Sequence, residues 1–139
     1  MDIEFITQNW MLFLALAAIL LLLALEPVIR RASGIKQISA IQLPSLINHE
    51  SAVVVDVCEP GEFRKGHIPD SLNLPLGEMK QNLGKLEKHR DQPIVLSCRS
   101  GSRANRAAST LRRNKFTNLY ILRGGMLSWE KENLPVERG

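Results

Sequence analysis

The stretch PIVLSCRSGSRANRAASTLRR, Pro93–Arg113, decides the fold of this chain. Its apolar, β-branched beginning, Ile94–Leu96, is typical of a strand buried on both faces of a parallel sheet. Helical spacing of apolar side chains returns over Ala104–Leu111. Between strand and helix lies the loop Cys98–Arg103. The sequence therefore predicts Cys98 at the junction between a strand end and a helix N-terminus.

Cys98 is predicted to be a reactive nucleophile, and a buried structural cysteine is the alternative interpretation. The N–H groups in the first turn of a helix have no backbone partner, so they stabilise an anion such as a thiolate. Arg99 and Arg103 add full positive charge, and Gly101 allows the loop backbone to turn its N–H groups inward. These neighbours favour a thiolate that attacks readily.

Three ordered stretches carry a resemblance to a known family. The loop CRSGSR, Cys98–Arg103, resembles the six-residue active-site loop of rhodanese-like sulfurtransferases, in which the first residue is the catalytic cysteine. DVCEPGEFRKGHIPDSLNLPL, Asp56–Leu76, and LRGGMLSWEKENLPV, Leu122–Val136, are similar to two further stretches of that family. The resemblance covers about residues 36–139.

The resemblance implies an activity and a set of site residues. Cys98 would take a sulfane sulfur from a donor such as thiosulfate, become a persulfide, and pass the sulfur to a thiol or cyanide. Neither a metal nor an organic cofactor is expected. The remainder of the loop would bind the substrate: Arg99, Ser100, Gly101, Ser102 and Arg103.

The role of Arg103 is open between substrate contact and a salt bridge that holds the loop, for example with Asp56. Arg99 is expected to face solvent. Asp56 ends a predicted strand, which places it on the same sheet edge as the Cys98 loop, in a structural ion pair. His67 is expected to brace a turn, with general-base catalysis as the alternative.

Cys58 departs from the resemblance, because the family usually has arginine at this position. Its thiol is interpreted as a neutral substitution, and a role as a resolving cysteine is left open. The two cysteines and three histidines show no metal-ligand spacing. The net charge of +4 does not indicate nucleic-acid binding, because Lys and Arg are dispersed and aromatic residues make up only 5% of the chain.

The N-terminal stretch Phe5–Leu25 contains no charged residue over 21 positions. About 20 apolar residues cross a bilayer, so residues 1–26 are predicted to form a transmembrane anchor, which a cleaved signal peptide fits less well. Arg30, Arg31 and Lys36 follow the run, so the positive-inside rule places the C-terminal domain on the cytoplasmic side of the cell inner membrane. A membrane-protein partner is left open.

After a linker at residues 27–35, residues 36–139 are predicted to form one three-layer α/β domain with a mostly parallel sheet of about five strands. The expected strands include Ile38–Ile41, Ala52–Val57, Leu72–Leu74 and Leu119–Leu122. The expected helices include Leu43–Asn48 and an amphipathic Met79–Lys88.

Two other functions remain as alternatives. Phosphatases and arsenate reductases of related fold carry one residue more between cysteine and arginine than the four that separate Cys98 from Arg103. A non-catalytic module that holds a partner protein at the membrane is the second alternative.

Overall fold

The computed structural model describes residues 2–32 and 35–139, without the side chains of residue 27 and residues 29–32. The chain divides into two compact units, residues 1–33 and 34–139. The predicted linker, residues 27–35, lies at this division, and its residues 33 and 34 fall outside the described part of the chain.

The N-terminal unit contains two helices, α1 (Ile3–Gln8) and α2 (Trp10–Ala32). Helix α2 continues six residues beyond Glu26, where the sequence predicted its end. A proline inside a long helix removes one backbone hydrogen bond and leaves the bonds on either side in place, so Pro27 does not end this helix. Among the described residues, no helix combines the length and mean hydropathy that a bilayer-spanning helix needs. By this measure the predicted transmembrane helix is not supported.

The C-terminal unit is built on a sheet of five parallel strands. The strands are β1 (Ile35–Ile38), β2 (Val53–Asp56), β3 (Leu72–Asn73), β4 (Ile94–Ser97) and β5 (Leu119–Leu122). Their spatial order is β1–β5–β4–β2–β3. All four residues of the central strand β4 are buried, as its continuous apolar sequence predicted.

Helical segments cover both faces of the sheet and give the three layers. The segments are α3 (Leu43–Glu50), α4 (Pro60–Lys65), α5 (Ser102–Arg113), α6 (Gly125–Lys131) and two 3-10 turns, Leu76–Glu78 and Leu83–His89. One core cluster joins α5 and the 3-10 turns to the sheet, and a second joins α3 and α6 to its other face. Trp129 of α6 is buried in the second cluster.

In the C-terminal unit, the predictions for the first strand and for the segment Met79–Lys88 were wrong. The first strand ends at Ile38 rather than beginning there, because the Ser39 hydroxyl accepts the Gln42 N–H at 3.2 Å and the chain turns. In place of the predicted amphipathic helix over Met79–Lys88, the chain forms turns up to Asn82 and then the 3-10 segment Leu83–His89. Asn82 and Gly84 lie in this segment, and both residues disfavour a regular α-helix.

Candidate active site

Cys98 lies directly after the central strand β4, at the carboxyl edge of the parallel sheet. In this edge Asp56 pairs with Ser97, and the Val57 N–H donates to the Ser97 carbonyl at 2.8 Å. The Cys98 side chain is fully buried, with 0% of its surface exposed. Ligands of open parallel sheets gather beyond this edge, so the cysteine is placed where the fold accepts a reactant.

The loop after Cys98 directs a backbone donor at the sulfur. The Gly101 N–H donates to Cys98 Sγ at 2.9 Å. Gly101 has a φ of 112°, which a residue with a Cβ rarely adopts, so glycine makes this loop shape accessible. Helix α5 starts at the next residue, Ser102, which brings the positive end of the helix close to the loop. The sulfur of Cys98 therefore lies in an environment that favours negative charge.

The first turn of helix α6 binds the backbone of the Cys98 loop. The Met126 N–H donates to the Cys98 carbonyl at 2.8 Å, and the Leu127 N–H donates to the Arg99 carbonyl at 3.2 Å. Helix α6 begins at Gly125, and a Cβ at this position would overlap the Cys98 carbonyl oxygen. The sequence pattern did not reveal this contact between Gly125 and the Cys98 loop.

Arg103 forms a bidentate salt bridge with Glu62, with N–O distances of 2.8 and 2.9 Å. The carboxylate partner suggested by the sequence, Asp56, is therefore not the one that the structure shows. Glu62 belongs to α4, and its side chain also accepts the Glu59 N–H at 3.3 Å in a capping box. The Arg103 guanidinium holds the pKa of Glu62 at about 2. Arg103 thus fastens the start of α5 to α4.

Replacing Glu62 with glutamine is expected to lower the free energy of unfolding by about 0.5–1 kcal/mol at pH 7, because both partners are partly exposed. The folded pKa of Glu62 lies below its unfolded value of about 4.3. The contribution is therefore complete above pH 4.3 and is lost as the pH falls towards 2. Urea unfolding of both proteins at neutral and acidic pH measures it. An undiminished difference at pH 2 would contradict the ion pair.

A model of the rhodanese-like domain family matches residues 39–132. The chain belongs to the rhodanese-like family. It is 36% identical over 137 residues to the uncharacterized protein YibN of Escherichia coli, covering 98% of this chain and 96% of that protein. It is 35% identical over 95 residues to the thiosulfate sulfurtransferase GlpE of Pseudoalteromonas translucida, covering 68% of this chain and 89% of that protein. A rhodanese-related protein from Thermoplasma volcanium superposes with a TM-score of 0.65 at 33% identity, covering 73% and 96% of the two chains.

Asp56 and Cys58 form a buried polar pair at the end of β2 in this rhodanese-like domain. Asp56 Oδ1 accepts the Cys58 N–H at 2.9 Å, and burial raises the pKa of the Asp56 carboxyl. Burial, together with the Asp56 carboxylate, raises the pKa of the Cys58 thiol to about 12. Cys58 is therefore a protonated thiol at neutral pH and a weak nucleophile, which does not favour a resolving role.

His67 is buried and joined to two elements of the rhodanese-like domain. Its Nδ1–H donates to the Phe63 carbonyl at 2.8 Å, and its ring stacks on that of Phe63 with centroids 3.6 Å apart. Its backbone forms a two-way bridge with Glu137, with both N–O distances 2.9 Å. These contacts fit the bracing role that the sequence favoured.

Replacing His67 with alanine is expected to lower the free energy of unfolding by about 2–3 kcal/mol, because the stacked ring and its hydrogen bond are lost together. The rate at which iodoacetamide alkylates Cys98 should stay unchanged in the folded variant. Urea unfolding and mass-detected alkylation supply the two readouts. A slower alkylation at undiminished stability would assign His67 to the chemistry instead.

The remaining predicted site residues belong to the loop itself and to the start of α5. Ser100 and Ser102 are exposed, and Arg99 is half-exposed, with its guanidinium 3.6 Å from Glu130. Ser102 is the first residue of α5, and the residue before the helix is Gly101, which has no side chain to cap it. Within residues 2–32 and 35–139, no group of three His, Cys, Asp or Glu side chains is arranged to hold a metal ion.

Proposed function

We propose that this rhodanese-like protein is a sulfurtransferase that carries a sulfane sulfur on Cys98. The observation that carries the proposal is the 2.9 Å hydrogen bond from the Gly101 N–H to Cys98 Sγ, in the loop that directly precedes helix α5. A donor aimed at sulfur stabilises both the attacking thiolate and the persulfide anion that replaces it. The relative named a thiosulfate sulfurtransferase supports the same chemistry.

The first half-reaction loads the enzyme. The Cys98 thiolate attacks the outer sulfur of thiosulfate, the new S–S bond forms, the S–S bond of thiosulfate breaks, and sulfite leaves with its electron pair. The Cys98 side chain then ends in a persulfide anion. Sulfur transfer requires no further oxidant or reductant, and no residue other than the cysteine has to bond to the sulfur.

The second half-reaction unloads the enzyme. Cyanide or a thiolate attacks the terminal sulfur, the S–S bond to Cys98 breaks, and the Cys98 thiolate leaves. The Gly101 N–H and the nearby N-terminus of α5 favour this leaving group, because they stabilise negative charge on the sulfur. The same contacts therefore assist both half-reactions.

Two features favour sulfur over a phosphoryl group. Only four residues separate Cys98 from Arg103, which makes the loop a small cradle. The Arg103 guanidinium is hydrogen-bonded to both carboxylate oxygens of Glu62, so it is not free to bind two phosphoryl oxygens in a bidentate manner. A cysteine phosphatase needs such a cationic clamp.

A turnover assay tests the proposal. The full chain in a non-ionic detergent is supplied with thiosulfate and cyanide, and thiocyanate formation is followed. Catalysed formation of thiocyanate supports the sulfurtransferase. Hydrolysis of an aryl phosphate by the same preparation without thiocyanate formation would assign the phosphatase instead. Absence of both activities with any sulfane donor would favour the non-catalytic module.

Attachment to the membrane through the N-terminal unit, with the rhodanese-like domain on the cytoplasmic face, is a separate part of the proposal. The uncharged stretch Phe5–Leu25 supports it, as do apolar side chains of α2 that are largely exposed, such as Leu12 at 69% and Leu22 at 68%. Arg30 and Arg31 after the run support the orientation. Release of the protein from membranes by an alkaline carbonate wash would contradict the attachment. Digestion of the domain by protease added outside intact cells would contradict the orientation.

A further inference from the structure

The segment that contains the active-site loop and α5 has a strongly one-sided charge. From residue 92 to residue 129 the sequence has no Asp or Glu and seven Lys or Arg. The cationic residues are Arg99, Arg103, Arg106, Arg112, Arg113, Lys115 and Arg123. The net charge of the whole chain is only +4, so positive charge is concentrated in this segment, which begins at the Cys98 loop.

The outward side of α5 presents part of this charge to solvent. Ala104, Ala108 and Leu111 are buried against the sheet, which leaves the opposite side of the helix exposed. The exposed residues on that side are Ser102, Arg106, Ser109 and Arg113, and they are named here the basic face of α5. The face starts beside the active-site loop and extends about 16 Å along the helix.

The positive charge of this face is not cancelled within the described chain. Arg103 pairs with Glu62, and Arg99 lies 3.6 Å from Glu130. In contrast, neither Arg106 nor Arg113 forms a salt bridge with a carboxylate in the part of the chain that the structure describes. The Arg113 Nε–H donates to the Ser109 carbonyl at 3.3 Å, which leaves its other N–H groups without a carboxylate partner among the described residues. Two guanidinium groups about two turns apart on one helix therefore remain available to an external anion.

We propose that the basic face of α5 docks an acidic protein that accepts the sulfur from Cys98, an inference that rests on the proposed sulfurtransferase function. The acceptor thiolate attacks the terminal sulfur of the Cys98 persulfide. The new S–S bond forms on the acceptor, the bond to Cys98 breaks, and Cys98 leaves as a thiolate. Acidic side chains on the acceptor pair with Arg106 and Arg113 and bring its thiol to the loop.

Two observations favour a protein over other anionic partners. Helix α5 contains no aromatic residue on which a nucleic-acid base could stack. The basic face starts at Ser102, directly after the Cys98 loop. A lipid surface covering this face would therefore also hinder the approach of an acceptor to the buried Cys98. A small acidic protein surface occupies the face and still delivers one thiol to the loop.

Matched peptides test the docking surface. The full chain in non-ionic detergent is loaded with thiosulfate and desalted, and its sulfur loading is verified by intact mass. Sulfur transfer is then timed, by mass, to two synthetic peptides of equal length with one cysteine each, flanked by Glu in one and by Gln in the other. The Glu peptide is expected to accept sulfur about tenfold faster or more at low ionic strength, and the advantage should shrink at high ionic strength.

Charge reversal assigns the effect to the face. Arg106→Glu combined with Arg113→Glu should abolish the preference for the Glu peptide. Lys80→Glu combined with Lys88→Glu changes the net charge equally at exposed positions outside α5 and should preserve it. Normal loading with equal transfer to both peptides overturns the docking inference alone. Failure to load overturns the sulfurtransferase function as well. Loss of the preference in the Lys80 and Lys88 variant would show a general charge effect and would overturn docking at the basic face of α5.

Vesicle binding tests whether an anionic lipid surface, rather than an acidic protein, occupies the basic face of α5. The full chain is expected to bind anionic vesicles equally before and after the reversal of Arg106 and Arg113. A loss of vesicle binding on this reversal, without a peptide preference in the parent protein, would assign the basic face of α5 to the membrane and overturn the inference.

Discussion

Replacing Cys98 with serine is expected to lower the rate of thiocyanate formation by a factor on the order of 10³ or more. The serine hydroxyl stays protonated at neutral pH and forms no persulfide, so the step that loads sulfur has no nucleophile. Serine is almost the same size as cysteine, and the site is fully buried, so the fold should be retained. Thiocyanate formation and urea unfolding of the two proteins measure the effect.

The matched control for this substitution is Cys58→Ser. Both cysteines are buried and free, but burial raises the pKa of the Cys58 thiol to about 12. The Cys58 variant should therefore form thiocyanate at the rate of the parent protein. Full loss of turnover in this variant, with turnover kept in the Cys98 variant, would reverse the assignment of the two thiols.

Replacing Gly125 with alanine is expected to lower the free energy of unfolding by about 3 kcal/mol or more. The added Cβ would overlap the Cys98 carbonyl oxygen and lie 2.8 Å from that of Arg99. These are backbone atoms that cannot swing aside, and the φ of 57° at Gly125 is itself unfavourable for alanine. The loop and α6 must separate, so sulfur transfer by Cys98 should fall together with stability. Urea unfolding and the thiocyanate assay give the two measurements.

Gly61→Ala provides a control of identical chemistry. A Cβ at Gly61 meets no atom within 4 Å, and this glycine lies inside α4. The substitution is expected to leave stability unchanged or to raise it by up to about 1 kcal/mol, because alanine restricts the unfolded chain. Equal stability of the Gly61 and Gly125 variants would contradict the close packing of α6 on the active-site loop.

The position of Cys98 could be predicted from the sequence because its determinants are local. The apolar run of β4 and the alanine spacing of α5 flank the loop directly, so their periodicities place the cysteine at a strand–helix junction. The last strand, Leu119–Leu122, was predicted with the bounds that the structure shows. Elements with a strong, continuous pattern need no distant contact to be recognised.

Contacts between distant segments could not be predicted in this way. Glu62, the partner of Arg103, lies 41 residues away and belongs to a short helix that the sequence pattern did not predict. The local sequence signal for this short helix was the spacing of Glu59 and Glu62, which matches a capping box whose first residue is Glu. The contact of Gly125 with the Cys98 loop likewise depends on how α6 packs. Tertiary packing, not local preference, determines both.

The most direct measurement of the central claim is the location of the transferred sulfur. The full chain is incubated with thiosulfate, its free thiols and persulfides are alkylated, and the peptides that contain Cys58 and Cys98 are weighed. The proposed chemistry predicts a gain of one sulfur atom on the Cys98 peptide and none on the Cys58 peptide. A gain on Cys58, or an unchanged mass of both peptides with every sulfane donor, would contradict it.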